Sequence, residues 1–61
     1  MSVSDILSRT DSKRLATDPE YFDDTLVTLA ERLVLESETD SANAFAVAMG
    51  RANDILMEKA F

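Results

Sequence analysis

The sequence has no cysteine and no histidine, and only one glycine and one proline. Without cysteine no disulfide framework can form, and without either residue none of the common zinc sites can be written. The same absences remove the familiar nucleophile–base pairs of acyl transfer, which need an activated side chain beside a positioned base. One glycine is too few for a phosphate-cradling loop, and no calcium-binding loop pattern is present. Long apolar runs are also missing, since no stretch approaches the roughly 20 residues of a membrane span. Met1 to Arg9 lacks the basic-then-apolar pattern of a secretory signal. A cytoplasmic location is therefore expected, and the lack of cysteine is compatible with it.

Positive charge is scarce: six Lys and Arg stand against twelve Asp and Glu, for a net charge of −6. That balance opposes direct binding to phosphate backbones or anionic membranes. The acids do not form an obvious catalytic set. Asp23 with Asp24, and Glu36 with Glu38, lie one or two positions apart, and such neighbours on a helix do not face each other. Glu20 with Asp24, or Asp54 with Glu58, share a face at a spacing of four, but an oxygen cage for a cation needs several more ligands. No catalytic residue, cofactor or metal ligand is expected, and the chain is read as a non-enzyme.

What is present favours helices. Hydrophobic residues make up 46% of the chain, an ordinary share for a globular protein. The first segment opens with Ser2 and Asp5 at capping-box spacing, with Asp in place of the usual Glu or Gln, and carries Val3, Ile6, Leu7 and Leu15. A short helix over about 3–15 is expected, with a break near Asp11, where Ser8, Thr10, Asp11 and Ser12 compete for backbone hydrogen bonds. Thr17 or Asp18 can cap a second helix that starts at Pro19 and runs to about Glu38. Its apolar stripe is Phe22, Leu26, Leu29 and Leu33, widened by Tyr21, Val27, Ala30 and Val34, with Leu35 lying off its centre. Asp40 or Ser41 can cap a third helix over about 42–59, whose narrowest seam reads as Phe45, Ala48, Ala52 and Ile55. Arg32 with Glu36 and Arg51 with Asp54 are spaced for ion pairs within these helices.

The expected architecture is all-α: an antiparallel helical hairpin with a short N-terminal helix, forming one small domain. A chain of 61 residues buries only about 60% of the surface its unfolded form exposes. With disulfides and zinc excluded, oligomerisation is the stabilising device left to it. Val27, Val34, Leu35, Val47, Met57 and Phe61 extend the apolar surface beyond one seam, so either the first segment covers them through Ile6, Leu7 and Leu15 or a second copy docks. Both together, a homodimeric bundle, is the favoured expectation. Ala42, Ala46 and Gly50 form a row of small residues suited to close helix approach. Gly50 costs roughly 1 kcal/mol relative to Ala in a helix.

The function expected from this pattern is a small acidic protein-interaction module, a regulator or inhibitor of a larger partner, which itself can be basic or nucleic-acid-binding. Tyr21, Phe22, Leu35 and Phe61 are its candidate anchors, because aromatic residues dominate hot spots, and Asp23 and Asp24 supply the charge. The alternative is a self-assembling structural subunit built through Ala42, Ala46 and Gly50. A weaker alternative is nucleic-acid binding through Arg9, Lys13 and Arg14, where half the positive charge sits. A small ligand between helices is also compatible with the pattern, although no residue motif identifies one.

Overall fold

The computed structural model describes residues 2–37 and 42–61. Among them the chain is all-α: four helices and no strand, with only Ser2, Thr10, Asp11, Asp18 and Phe61 outside a helix. They are α1 (Val3–Arg9), α2 (Ser12–Thr17), α3 (Pro19–Ser37) and α4 (Ala42–Ala60). Glu38, expected to end the second long helix, and Asp40 and Ser41, expected to cap the third, lie outside the described residues.

Local chemistry accounts for the helix starts. At α1 the Asp5 N–H donates to Ser2 Oγ at 3.2 Å and the Ser2 N–H donates to the Asp5 carboxylate at 3.3 Å, so the capping box closes with Asp in the acidic position. The expected break falls at Thr10–Asp11 and divides the N-terminal segment into two helices where one over about 3–15 was the simpler expectation. Thr10 turns back, its Oγ1 donating to the Ile6 carbonyl at 2.6 Å. Asp11 then starts α2 by accepting from the N–H groups of Lys13 and Arg14 at 3.0 and 3.3 Å. Asp18, rather than Thr17, caps α3: its Oδ1 accepts from Glu20 and Tyr21 at 3.1 and 3.3 Å, with Pro19 in the first helical position, where its missing N–H costs nothing.

The core is small and wholly apolar. Ile6, Leu15, Leu29, Ala30, Ala48, Ala52 and Leu56 are buried, Leu29 and Leu56 completely, and no polar or charged residue is buried among the described residues. Each helix contributes to it. α3 and α4 share the most extensive contact, α2 rests on both, and α1 lies along α3. Val3, Leu7, Tyr21, Phe22, Leu26, Leu33, Val34, Met49, Ile55 and Ala60 pack around this centre half-buried.

The seam of α4 differs from the sequence expectation. Its buried line is Ala48, Ala52 and Leu56, whereas Phe45 is exposed and Ile55 sits at the flank. Alanines at a helix contact let the partner backbone come close, and the larger Phe45 stands at the end where a groove stays open. Among the described residues, that groove is lined by α3 and α4. The expected Arg51–Asp54 ion pair does not form; among the described residues the ion pairs are Arg14–Asp18 at 3.6 Å and Arg32–Glu36 at 3.3 Å.

Candidate interaction surface

Two sides of the α3–α4 pair have different chemistry. On one, the N-terminal helices are fastened by polar bonds. The Val3 N–H, a helix-start donor with no partner inside α1, donates to Glu36 Oε2 at 2.9 Å across 33 positions of chain. Glu36 also accepts from Arg32 Nε at 3.3 Å, which holds the carboxylate in place. At the other end of this segment the Asp11 N–H donates to the Tyr21 hydroxyl at 3.0 Å, and the Arg14 guanidinium sits 4.5 Å from the Tyr21 ring centroid. Arg14 is thus shared between Asp18 and the aromatic face of Tyr21.

Elsewhere the surface carries large apolar residues with no such fastening among the described residues. Leu35 is 66% exposed, Val47 61%, Met57 45% and Phe61 81%. Val27 and Phe45 are exposed to a lesser degree. Single exposed apolar residues are ordinary, but six large ones among the described residues are many for so short a chain. Near the end of α3 and the start of α4 lies an open groove of about 320 Å³ whose lining includes Leu33, Ala44, Val47 and Arg51.

The residues singled out from sequence therefore separate. Tyr21 and Phe22 are half-buried against the core, and Tyr21 is engaged by Asp11 and Arg14. Asp23, Asp24, Leu35 and Phe61 are exposed. Leu35 and Phe61 stand on different helices, and Phe61 directly follows the last residue of α4. Ala42, Ala46 and Gly50 are all exposed on α4, and a Cβ built on Gly50 meets nothing within 4 Å. The fold of a single copy therefore does not require glycine there. Of the basic patch, Arg14 is engaged while Arg9 and Lys13 are exposed. Val47 and Phe45 were not among the anchors named from sequence; Val47 falls among small alanines, and periodicity alone placed Phe45 in the seam.

The acids are dispersed over the surface, and among the described residues no group of three or more His, Cys, Asp or Glu is placed to hold a metal ion. No helix of the described residues is long and apolar enough to cross a membrane. The fold and surface define an all-α chain with a small apolar core and an acidic, partly apolar exterior. Comparison with protein-family models, with curated proteins and with solved structures finds no match.

Proposed function

We propose that this chain is a small acidic protein–protein interaction module: an antiparallel helical hairpin carrying its N-terminal helices as a cover, self-associating through its open side and docking onto a larger protein that it regulates or inhibits. The observation that carries this reading is the set of large exposed apolar side chains, Leu35, Val47, Met57 and Phe61 foremost. Each would gain about 25 cal/mol per Å² of apolar surface removed from water, which is a driving force for association and for little else. The net charge of −6 favours a partner with a basic surface, such as a nucleic-acid-binding protein, because complementary charge speeds encounter and excludes wrong partners. A module of this kind needs no catalytic group or cofactor, and it works without touching nucleic acid or membrane directly.

A pull-down from the native host, with bound proteins identified by mass, tests the reading. Leu35→Ser should lose the partner, and the pair Asp23→Lys with Asp24→Lys should weaken its recovery, most clearly at low salt, where charges are least screened. Equal recovery by all variants would end the proposal. The second reading, a self-assembling subunit with no separate client, is favoured by Gly50, whose helix position nothing within one copy explains. Nucleic-acid binding through Arg9, Lys13 and Arg14 draws less support, since Arg14 is held by Asp18 and Tyr21 and two free cations contribute little.

A further inference from the structure

α4 carries a second stripe beside its buried one. Ala42, Ala46, Gly50, Asn53, Met57 and Phe61 are all exposed, and they follow one another at steps of four, four, three, four and four. At 3.6 residues per turn this is one continuous strip, about a third of a turn round from the buried Ala48–Ala52–Leu56 line. Its spacing reads the same from either end, and its bulk runs from small to large: two alanines and a glycine at the start, Met57 and Phe61 at the finish.

We infer that the occupant of this strip is the same strip of a second copy, laid antiparallel about a two-fold axis between positions 51 and 52. The inference deepens the self-association within the proposed function by fixing its surface and register. In that register Phe61 of one copy lies over Ala42 of the other, Met57 over Ala46, and Asn53 over the bare backbone of Gly50. Every large side chain meets a small one, and the two-fold symmetry makes each contact occur twice. A parallel arrangement would set Phe61 against Phe61 and leave the small residues facing one another across a void, forfeiting their contacts. Glycine at position 50 then has its reason: the two helices approach most closely beside the axis, where the side chain of Asn53 needs room. Asn53 is the one polar residue of the strip, and a buried amide of this kind selects the register that satisfies it, as polar positions do in coiled coils.

Charge agrees with this placement. Arg51 and Asp54 are exposed, both round α4 from the strip on the same side, and among the described residues neither forms an ion pair. About the two-fold axis, Arg51 of one copy lies within about 3 Å, measured along the helix, of the level of Asp54 in the other. Two symmetry-related Arg–Asp pairs thus frame the centre of the contact, the one place on α4 where two molecules of net charge −6 present opposite charges to each other. Area sets the extent. A stable interface takes about 800 Å² from each partner, roughly a fifth of the 4229 Å² this molecule exposes. α4 is 19 residues long, about 28 Å at 1.5 Å per residue, so the whole strip, with a margin on either side, must be engaged.

Cross-linking reads the register directly, because the sequence contains no cysteine to give a background. Ala46→Cys and Met57→Cys chains are prepared separately and mixed under mild oxidation. The antiparallel register requires the mixed disulfide to dominate over both homodisulfides, since only positions 46 and 57 face each other. Dominant homodisulfides, or a dimer by light scattering that yields no disulfide at these positions, would overturn the register while leaving self-association standing. A monomer mass at every concentration up to about 1 mM would remove both, and would assign the strip to a different partner. Gly50→Leu is the steric control: a Cβ added there meets nothing within 4 Å in one copy, so helicity should hold or rise while dimerisation weakens by about tenfold or more. Unchanged dimerisation by that variant would also overturn the close approach at the axis.

Discussion

The two sides of the α3–α4 pair differ in how they are closed. The N-terminal side is sealed within the chain by buried Ile6 and Leu15 and by polar bonds that specify where each short helix sits: Val3 to Glu36, Asp11 to Tyr21. The opposite side of α4 has no comparable bond among the described residues, and its strip from Ala42 to Phe61 runs from small residues through Asn53 to large apolar ones. Short helices of seven and six residues are unstable by themselves, because nucleation fixes several residues for each hydrogen bond gained. They need directional bonds to hold a position. A helix of 19 residues is already formed and can offer a rigid strip to another molecule at little further cost in order.

The largest effect should come from removing the shared floor of both sides. Leu56 and Leu29 are completely buried, and a Leu→Ala change at such a site costs about 2–5 kcal/mol through lost transfer energy and the cavity left behind. For a chain this small, that approaches the whole margin of stability. Leu56→Ala should therefore lower the urea midpoint drastically or leave the chain unfolded by circular dichroism. Leu35→Ala, at 66% exposure, should change stability by no more than about 0.5 kcal/mol. Equal effects of the two would mean that Leu56 is no more interior than Leu35.

Leu29 was legible from periodicity, as were the helix starts, while Leu56 fell outside the seam expected for α4. Ser2 with Asp5, and Asp18 before Pro19, are local signals whose chemistry lies within three residues, and the structure places a cap at each. Leu35 could be read as lying off the stripe because helical spacing alone decides it. On α4 the seam was read correctly at Ala48 and Ala52 and misread at its ends, where Leu56 completes the buried line while Phe45 is exposed and Ile55 stays at the flank. The fastening bonds could not have been found. The partner of Val3 lies 33 positions away, and nothing in the neighbourhood of Glu36 marks it as the acceptor of a distant backbone N–H. Nor did the expected Arg51–Asp54 pair form; its members are three positions apart, whereas the pairs Arg14–Asp18 and Arg32–Glu36, with the same order of charge, are four apart.

Glu36 offers the next sharpest test, because it joins the sealed side to α3. Glu36→Gln keeps the shape and an acceptor oxygen but removes the charge that both the start of α1 and Arg32 engage. Hydrogen bonds to a charged group contribute about 1.5–3 kcal/mol. Solvent reaches this carboxylate, whose side chain is 41% exposed, so the lower end of that range or below it, about 1 kcal/mol, is expected. The loss should be local. Amide exchange should quicken through α1 while Leu29, Ala52 and Leu56 keep their protection, since opening a peripheral helix need not open the core. Uniform acceleration across all four helices would instead show that the N-terminal cover and the α3–α4 pair unfold as one unit.

The smallest effect, and the most discriminating, belongs to Tyr21. Its hydroxyl accepts the Asp11 N–H, while its ring supports the Arg14 guanidinium and packs against the core. Tyr21→Phe removes the first of these roles and leaves the other two. A neutral hydrogen bond is worth about 0.5–1.5 kcal/mol net, and the Asp11 amide is exposed enough for water to replace the hydroxyl, so the cost should fall near the bottom of that range. The signature is positional: faster exchange at the Asp11 amide and chemical-shift changes along α2, with α4 and its open strip untouched. Dimer affinity should therefore be unchanged by this substitution. If affinity falls with Tyr21→Phe, the N-terminal helices and the strip on α4 are coupled, and the sealed side takes part in forming the open one.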